Sequence, residues 1–278
     1  MNTIVNPLSA QLSELETEIP DRNVWLLFKV GAHEHMAAMQ RGLLYMNSVT
    51  YFARFEEEEP DALRGDPEEP LLARIRCGTQ GKCYHQVILQ IGEGEETKAV
   101  DVSENATLTA IVPSPENVMM FCFSALADDE SGKIPGEANG ELRLDARLLE
   151  FGTHIVIIRD PRALSHRINL AIQQHPNLYS SKYFQGGFGR VKYVDATGGP
   201  ETLGLFRKAR KYGWQQEFRF ILGAHPQSLN SSGALELEIG DISDITQLIP
   251  LESFLRTPIN LTRRRVRKIG DQYIEAKS

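Results

Sequence analysis

The chain is poor in features that mark several whole classes of protein. It holds three cysteines in 278 residues, Cys77, Cys83 and Cys122. So sparse and odd a set argues against a disulfide framework and fits a reducing compartment. No apolar run approaches the roughly 20 residues needed to span a bilayer. Residues 1–20 lack a basic stretch followed by an apolar one, so no secretory signal is expected. The expectation is a cytoplasmic protein with no membrane partner. Positive charge is short as well: 30 basic residues stand against 37 acidic ones, a net charge of −7. That weakens the case for non-specific duplex binding, which depends on neutralising phosphates, but leaves room for a local basic patch. No internal repeat of solenoid or propeller length is visible.

What remains is an ordinary globular composition, 41% hydrophobic and 24% charged, long enough to bury a sizeable core. Val24–Val30 reads as a mostly buried strand, His33–Arg41 as a helix stopped by Gly42, and Leu43–Met46 as a second strand. An acidic loop fills 56–69, and strands are expected at Leu71–Cys77, Tyr84–Ile91, Ala106–Val112 and Val118–Phe123. His154–Ile158 is a strand. Pro161–Gln174 is a helix with Leu164, Ile168 and Ile172 on one face. Arg190–Val194 is a strand, Glu201–Tyr212 a basic helix, and Trp214–Leu222 a strong strand. Leu235–Ile239 and Thr246–Ile249 are short strands before a helix at Leu251–Arg256. Strands and helices mix without βαβ alternation. The fold class is therefore α+β, a single domain on a split or antiparallel sheet with flanking helices. Residues 1–20 form a polar arm, 21–258 the domain and 259–278 a basic extension.

The most informative stretch is Lys211-Tyr212-Gly213-Trp214-Gln215-Gln216-Glu217-Phe218-Arg219-Phe220. Strand alternation puts Gln216, Phe218 and Phe220 on one face and Gln215, Glu217 and Arg219 on the other. A carboxylate beside an amide and a guanidinium can floor a cleft, binding ribose hydroxyls or stabilising a cationic sugar centre. The same pattern also serves a polar sheet face whose charges pair across strands.

Four blocks, in order, resemble the bacterial and phage family called domain of unknown function 2971. They are Leu27-Phe28-Lys29; Gly42-Leu43-Leu44-Tyr45-Met46-Asn47-Ser48 with Tyr51-Phe52; Met120-Phe121-Cys122-Phe123-Ser124; and Lys192-Tyr193 with Lys208 or Lys211, then Trp214, Glu217 and Arg219. They span residues 24–222. The family's Asn-Asp-Pro-Phe-Asp loop is replaced by the acidic run, and its Trp-x-x-Tyr element is missing from 125–142.

More distantly, a basic residue on the first strand, a serine at a strand end and Gln-x-Glu resemble the ADP-ribosyltransferase layout. That resemblance implies an ADP-ribosyltransferase-like fold and NAD as cofactor. Lys29 would contact the NAD phosphates or ribose, where the superfamily has Arg or His, and Ser124 the nicotinamide ribose. Tyr51 or Phe52 would stack on the nicotinamide ring. Glu217 would be the catalytic glutamate, Gln215 would help set the acceptor, and Arg219 would help bind the cofactor. Cleaving the N-glycosidic bond builds oxocarbenium character that a fixed carboxylate stabilises. The implied function is an NAD-dependent transferase modifying a macromolecule, protein or nucleic acid, of toxin or phage-defence type. The alternative is a non-catalytic nucleotide- or nucleic-acid-binding module.

Other motifs carry less. His33-x-His35 and Cys77-x₅-Cys83-x-His85 lack metal-site spacing, so no metal is expected. Arg64-Gly65-Asp66 is a turn. Gly186-Gly187-Phe188-Gly189 precedes a strand, whereas a phosphate loop opens a helix. Ser124 lacks the Gly-x-Ser-x-Gly setting of a hydrolase nucleophile. Basic clusters at Arg207–Lys211 and Arg263–Lys268 imply an uneven surface field, serving either a nucleic-acid or phosphorylated partner or a solvated face.

Overall fold

The longest strand, Val118–Ala127, is almost wholly apolar because both of its faces are covered. It organises a nine-stranded sheet in a computed structural model that describes residues 24–58, 70–76, 88–91, 98–102, 107–128, 133–138, 141–181, 184–194, 201–202, 204–260, 266–269 and 272–275. The sheet contains β1 (Val24–Gly31), β2 (Leu43–Ser48), β3 (Val118–Ala127), β4 (His154–Ile158), β5 (Leu178–Tyr179), β6 (Gly187–Arg190), β7 (Glu217–Ala224), β8 (Leu235–Glu238) and β9 (Thr246–Pro250). Every pairing in it is antiparallel.

The central pair is β3 and β7, in register from Glu217↔Ser124 to Gly223↔Val118. The outer edge of β3 is shared. β1 pairs along its end, at Ser124–Ala127, and β2 along its start, at Met119 and Met120. The outer edge of β7 is shared in the same way by β6 and β5. Beyond β1 lie β4 and β9, and beyond β2 lies β8. The architecture is thus α+β around a large antiparallel sheet.

Two helices cover one face. In α1 (His33–Gln40), Met36 and Met39 are buried; in α3 (Pro161–Gln174), Leu164, Ile168 and Ile172 are. They pack on Leu27, Phe121, Phe123 and Phe220. Asp160 caps α3 by accepting from the backbone N–H groups of Arg162 and Ala163, with Pro161 in the first turn. After α1 the chain turns at Gly42, with φ +111°, against Gly240; a Cβ there would lie 2.3 Å from the Gly240 carbonyl oxygen.

The other face carries two apolar clusters. Phe28, Val30, Leu126, Leu148 and Ile155 pack with α4 (Leu251–Arg256) through Leu251. Val118, Met120 and Ile221 pack with Val49, at the start of α2 (Val49–Glu58), and with Leu205 and Phe206. The polar cluster described below fills the seam between them.

Three expectations are corrected. The basic helix over Glu201–Tyr212 is instead two short strands, Glu201–Thr202 and Arg207–Ala209, followed by a 3₁₀ helix, Arg210–Gln215. Gly204 at φ +126° breaks the run, and Lys208 turns into the interior rather than to water. The strand expected over Arg190–Val194 divides at Val191, whose N–H donates to the Glu217 carbonyl. Lys192–Val194 then pairs parallel with Arg207–Ala209. The strand expected from Trp214 begins at Glu217, because Gln216 adopts a left-handed conformation. The arm 1–20, most of the acidic loop, Cys77, Cys83, His85 and Arg263–Arg265 lie outside the described residues. At the C-terminal side, Ile259–Asn260 pairs with Glu141–Leu142, and Val266–Ile269 pairs with Gln272–Glu275. Among the described residues no helix is long and apolar enough to cross a membrane.

Candidate functional site

Glu217 opens β7 directly opposite Ser124 in β3, and Ser124 stands opposite Phe28 in β1. Directly opposed residues share a face. Cys122 and Arg219, the next pair of that parity, lie on the same side. Glu217 is buried there. Its Oε1 accepts from Lys208 Nζ at 2.7 Å and its Oε2 from Arg219 Nε at 2.8 Å. Arg219 is fully buried, and its Nη1 donates to the Leu205 carbonyl at 2.5 Å. Lys208 Nζ also donates to Gln215 Oε1 at 3.0 Å and lies 4.6 Å from the centre of the Tyr212 ring. The Glu217 N–H donates to the Tyr193 hydroxyl at 2.8 Å.

The electrostatics follow from this geometry. Burial alone would raise the Glu217 carboxyl. The charges of Arg219 and Lys208 and their hydrogen bonds outweigh that and hold it down to about 2. Glu217 is therefore a fixed anion between two buried cations. The Tyr193 hydroxyl is pushed up, first by burial and then by the Glu217 charge, and stays neutral.

The local chain explains the positions. The 3₁₀ helix Arg210–Gln215 carries Gln215 back over Lys208, and Gln216, at φ 46° and ψ 47°, redirects the chain into β7. Only Ser114 and Gln216 combine a side chain with positive φ among the described residues. The Gln216 Oε1 is buried with no hydrogen-bond partner among the described residues. Strain and an orphaned polar atom together cluster at functional positions.

Of the residues expected to form an NAD site, Glu217, Gln215, Arg219 and Ser124 come together. Gln215 does so from the 3₁₀ helix rather than from the strand. Lys29, Tyr51 and Phe52 do not join them. Lys29 follows Phe28 in β1, so alternation turns it to the opposite face of the sheet. There its Nζ lies 4.8 Å from the Phe121 ring centre and donates to the Cys122 carbonyl at 2.5 Å. Tyr51 and Phe52 sit in the first turn of α2. That helix leaves from the start of β3, because β2 pairs there through Asn47↔Met120 and Ser48↔Met119. At ~3.3 Å per residue this is about 20 Å along the strands from Glu217. Phe52 packs beside Val118 and Met120, and Tyr51 lines a separate cleft.

Lys208 and Tyr193 also matter here; both stand in the fourth resembled block, but the sequence assigns neither a role in the site. Lys208 stands in a cluster of five residues of which four are basic, which reads as a solvated face. Its neighbours in the sheet are Lys192–Val194, 15 positions earlier, a pairing that the local charge pattern does not show.

The end of the sheet that carries this cluster has a basic and aromatic rim. Lys192, Arg210 and Lys211 are exposed. Arg147 lies 4.5 Å over the Trp214 ring, which stacks on Phe151. Trp25, 36% exposed, donates from Nε1 to Asp128 Oδ1, and Arg190 donates to the Asp128 carbonyl. Among the described residues no group of three or more His, Cys, Asp or Glu side chains converges as metal ligands; His33 packs edge-on against His154. No family model, curated protein or solved structure matches the chain.

Proposed function

We propose that the protein is a non-catalytic binding module for a nucleotide-type polyanion, held at the Ser124–Glu217 end of the sheet. One observation carries this reading: both Glu217 oxygens already accept hydrogen bonds from buried cations. A carboxylate that stabilises a ribosyl cation must offer that cation negative potential in the transition state. Here the reacting centre would meet Lys208 and Arg219 beside the same carboxylate, and each cation opposes positive charge by about 4 kcal/mol at 4 Å and an effective dielectric near 20. The cluster suits an anion better. Exposed Lys192, Arg210 and Lys211 supply cations at its rim, and the partly exposed Trp25 ring supplies a surface for a base.

A second reading rests on the direct opposition of Ser124 and Glu217, the pair that the ADP-ribosyltransferase resemblance requires. In that reading NAD is the cofactor, a macromolecule the acceptor, and Lys29 takes no part.

One set of measurements separates the two. Binding of NAD, ATP and a labelled single-stranded RNA 12-mer is followed at 50 and 200 mM salt, with nicotinamide release from NAD monitored in parallel. The binding module predicts saturable, salt-sensitive binding with no nicotinamide release. Replacing Arg210 and Lys211 together by glutamate should weaken it at least tenfold and flatten the salt slope, by ~0.7 for each single-strand phosphate no longer neutralised. Nicotinamide release that falls on the order of 100-fold in Ser124→Ala would instead establish the transferase. No binding of any of the three probes refutes the binding module.

A further inference from the structure

We propose that the cleft at the opposite end of the sheet binds a small zwitterion of the amino-acid class. The cleft has a volume of about 520 Å³, within the range of about 300–1,000 Å³ usual for small-molecule sites. It lies where β3 begins and β7 ends. Ser48, Tyr51 and Arg54 border it from the β2–α2 junction, Glu116 and Asn117 from the turn Pro115–Asn117, and Ser232 from the turn before β8.

Three independent features point to a ligand. The first is charge. Arg54 and Glu116 are exposed on the cleft, one on α2 and one on the turn packed beside it, yet they form no ion pair with each other or with another of the described residues. Opposite charges on neighbouring walls that do not meet suit a ligand with a carboxylate at one end and an ammonium at the other. A guanidinium takes a carboxylate in bidentate fashion, and a carboxylate accepts from an ammonium.

The second is unsatisfied polarity. Four buried side-chain polar atoms lack a partner among the described residues, and two of them flank this cleft: Thr50 Oγ1, on a lining residue, and Ser228 Oγ, between the lining residues Pro226 and Leu229. Such atoms are rare in native proteins and mark places where a partner is missing.

The third is strain. Ser114, at φ 49° and ψ 58°, sits just before the turn that presents Glu116 and Asn117. A left-handed serine is strained and persists where surrounding structure over-determines it. Burial, and after it the charge of Glu116, raises the Tyr179 hydroxyl; the Tyr179 ring is seated on Gly223.

Tyr51, 40% exposed and edge-on to Phe52, gives the ligand's side chain an aromatic wall, and Leu229 an apolar one. The balance of one cation and one carboxylate disfavours a polyphosphate, which needs several cations. A single lining carboxylate disfavours a divalent metal, which needs several oxygen ligands.

The test uses the intact chain. Each of the twenty L-amino acids and the dipeptides Gly-Phe and Phe-Gly are titrated to 10 mM by calorimetry and thermal shift. The best binder is then compared with its N-acetyl and C-amide forms. Saturable binding that weakens at least tenfold on blocking either end supports the site. A free amino acid as best binder identifies a metabolite ligand, and a dipeptide alone identifies peptide termini. Arg54→Gln should lose at least tenfold toward the free acid and little toward its amide, and Glu116→Gln the mirror pattern toward the N-acetyl form. Both side chains are exposed, so neither variant should unfold the protein. Absence of saturation by every probe overturns the proposal, as does affinity that neither variant moves. Because the cleft is remote from Glu217, this outcome is independent of polyanion binding.

Discussion

Replacing Glu217 by glutamine keeps the side chain's shape and removes one charge. Two cations, Lys208 at 2% and Arg219 at 0% side-chain exposure, then face an amide in place of the carboxylate that each now binds. Removing one partner of a buried ion pair costs about 3–5 kcal/mol. The pH dependence gives a separate route to the same scale. The carboxyl titrates at about 2 in the folded protein against 4.5 unperturbed, a difference worth about 3 kcal/mol. A depressed folded value means the contribution is complete above about pH 5 and is lost as pH falls toward 2. Chemical and thermal denaturation at pH 7 should therefore show Glu217→Gln less stable by about 3–5 kcal/mol, with Tm lower by on the order of 10 °C. Between pH 5 and 3 the wild type should lose stability more steeply than the variant. Glu252→Gln is the control, since its pair with Arg256 is exposed and worth well under about 1 kcal/mol. A Glu217→Gln protein whose Tm stays within about 2 °C of wild type would refute the structural role. It would free the carboxylate for chemistry and favour the transferase reading.

Two further substitutions probe the frame that holds the sites. Gly42→Ala puts a Cβ 2.3 Å from the Gly240 carbonyl at φ +111°, so we expect a loss of about 3 kcal/mol or more, measured by urea denaturation. Gln216→Gly relieves a left-handed side chain and removes a buried orphan oxygen, so it should stabilise the protein by about 1 kcal/mol. If that gain comes with weaker nucleotide binding, the Gln216 amide touches the ligand; a loss of stability instead would show that its side chain is already satisfied.

How far the sequence reveals this molecule depends on whether a feature is local. Pro161–Gln174 and His154–Ile158 have the expected bounds, because a cap, a proline and a 3.6-residue stripe, or a short β-branched run, are written in adjacent residues. Strand alternation puts Glu217 and Arg219 on one face, and register sets Ser124 opposite Glu217. Sequence reasoning misplaces Lys208 because net charge describes a segment's average environment, while one buried carboxylate decides the fate of one lysine. It misplaces Lys29 because register sets Phe28, not Lys29, opposite Ser124, and it misplaces Tyr51 for a topological reason. Strand alternation fixes which residues share a face but not which neighbouring strand pairs with which half of β3. Since β1 takes the end of β3 and β2 its start, one set of expected ligands is divided between two ends of the sheet and two of its faces. That division leaves a charged cluster at one end and an open cleft at the other. It is also why the two binding proposals can fail or succeed separately.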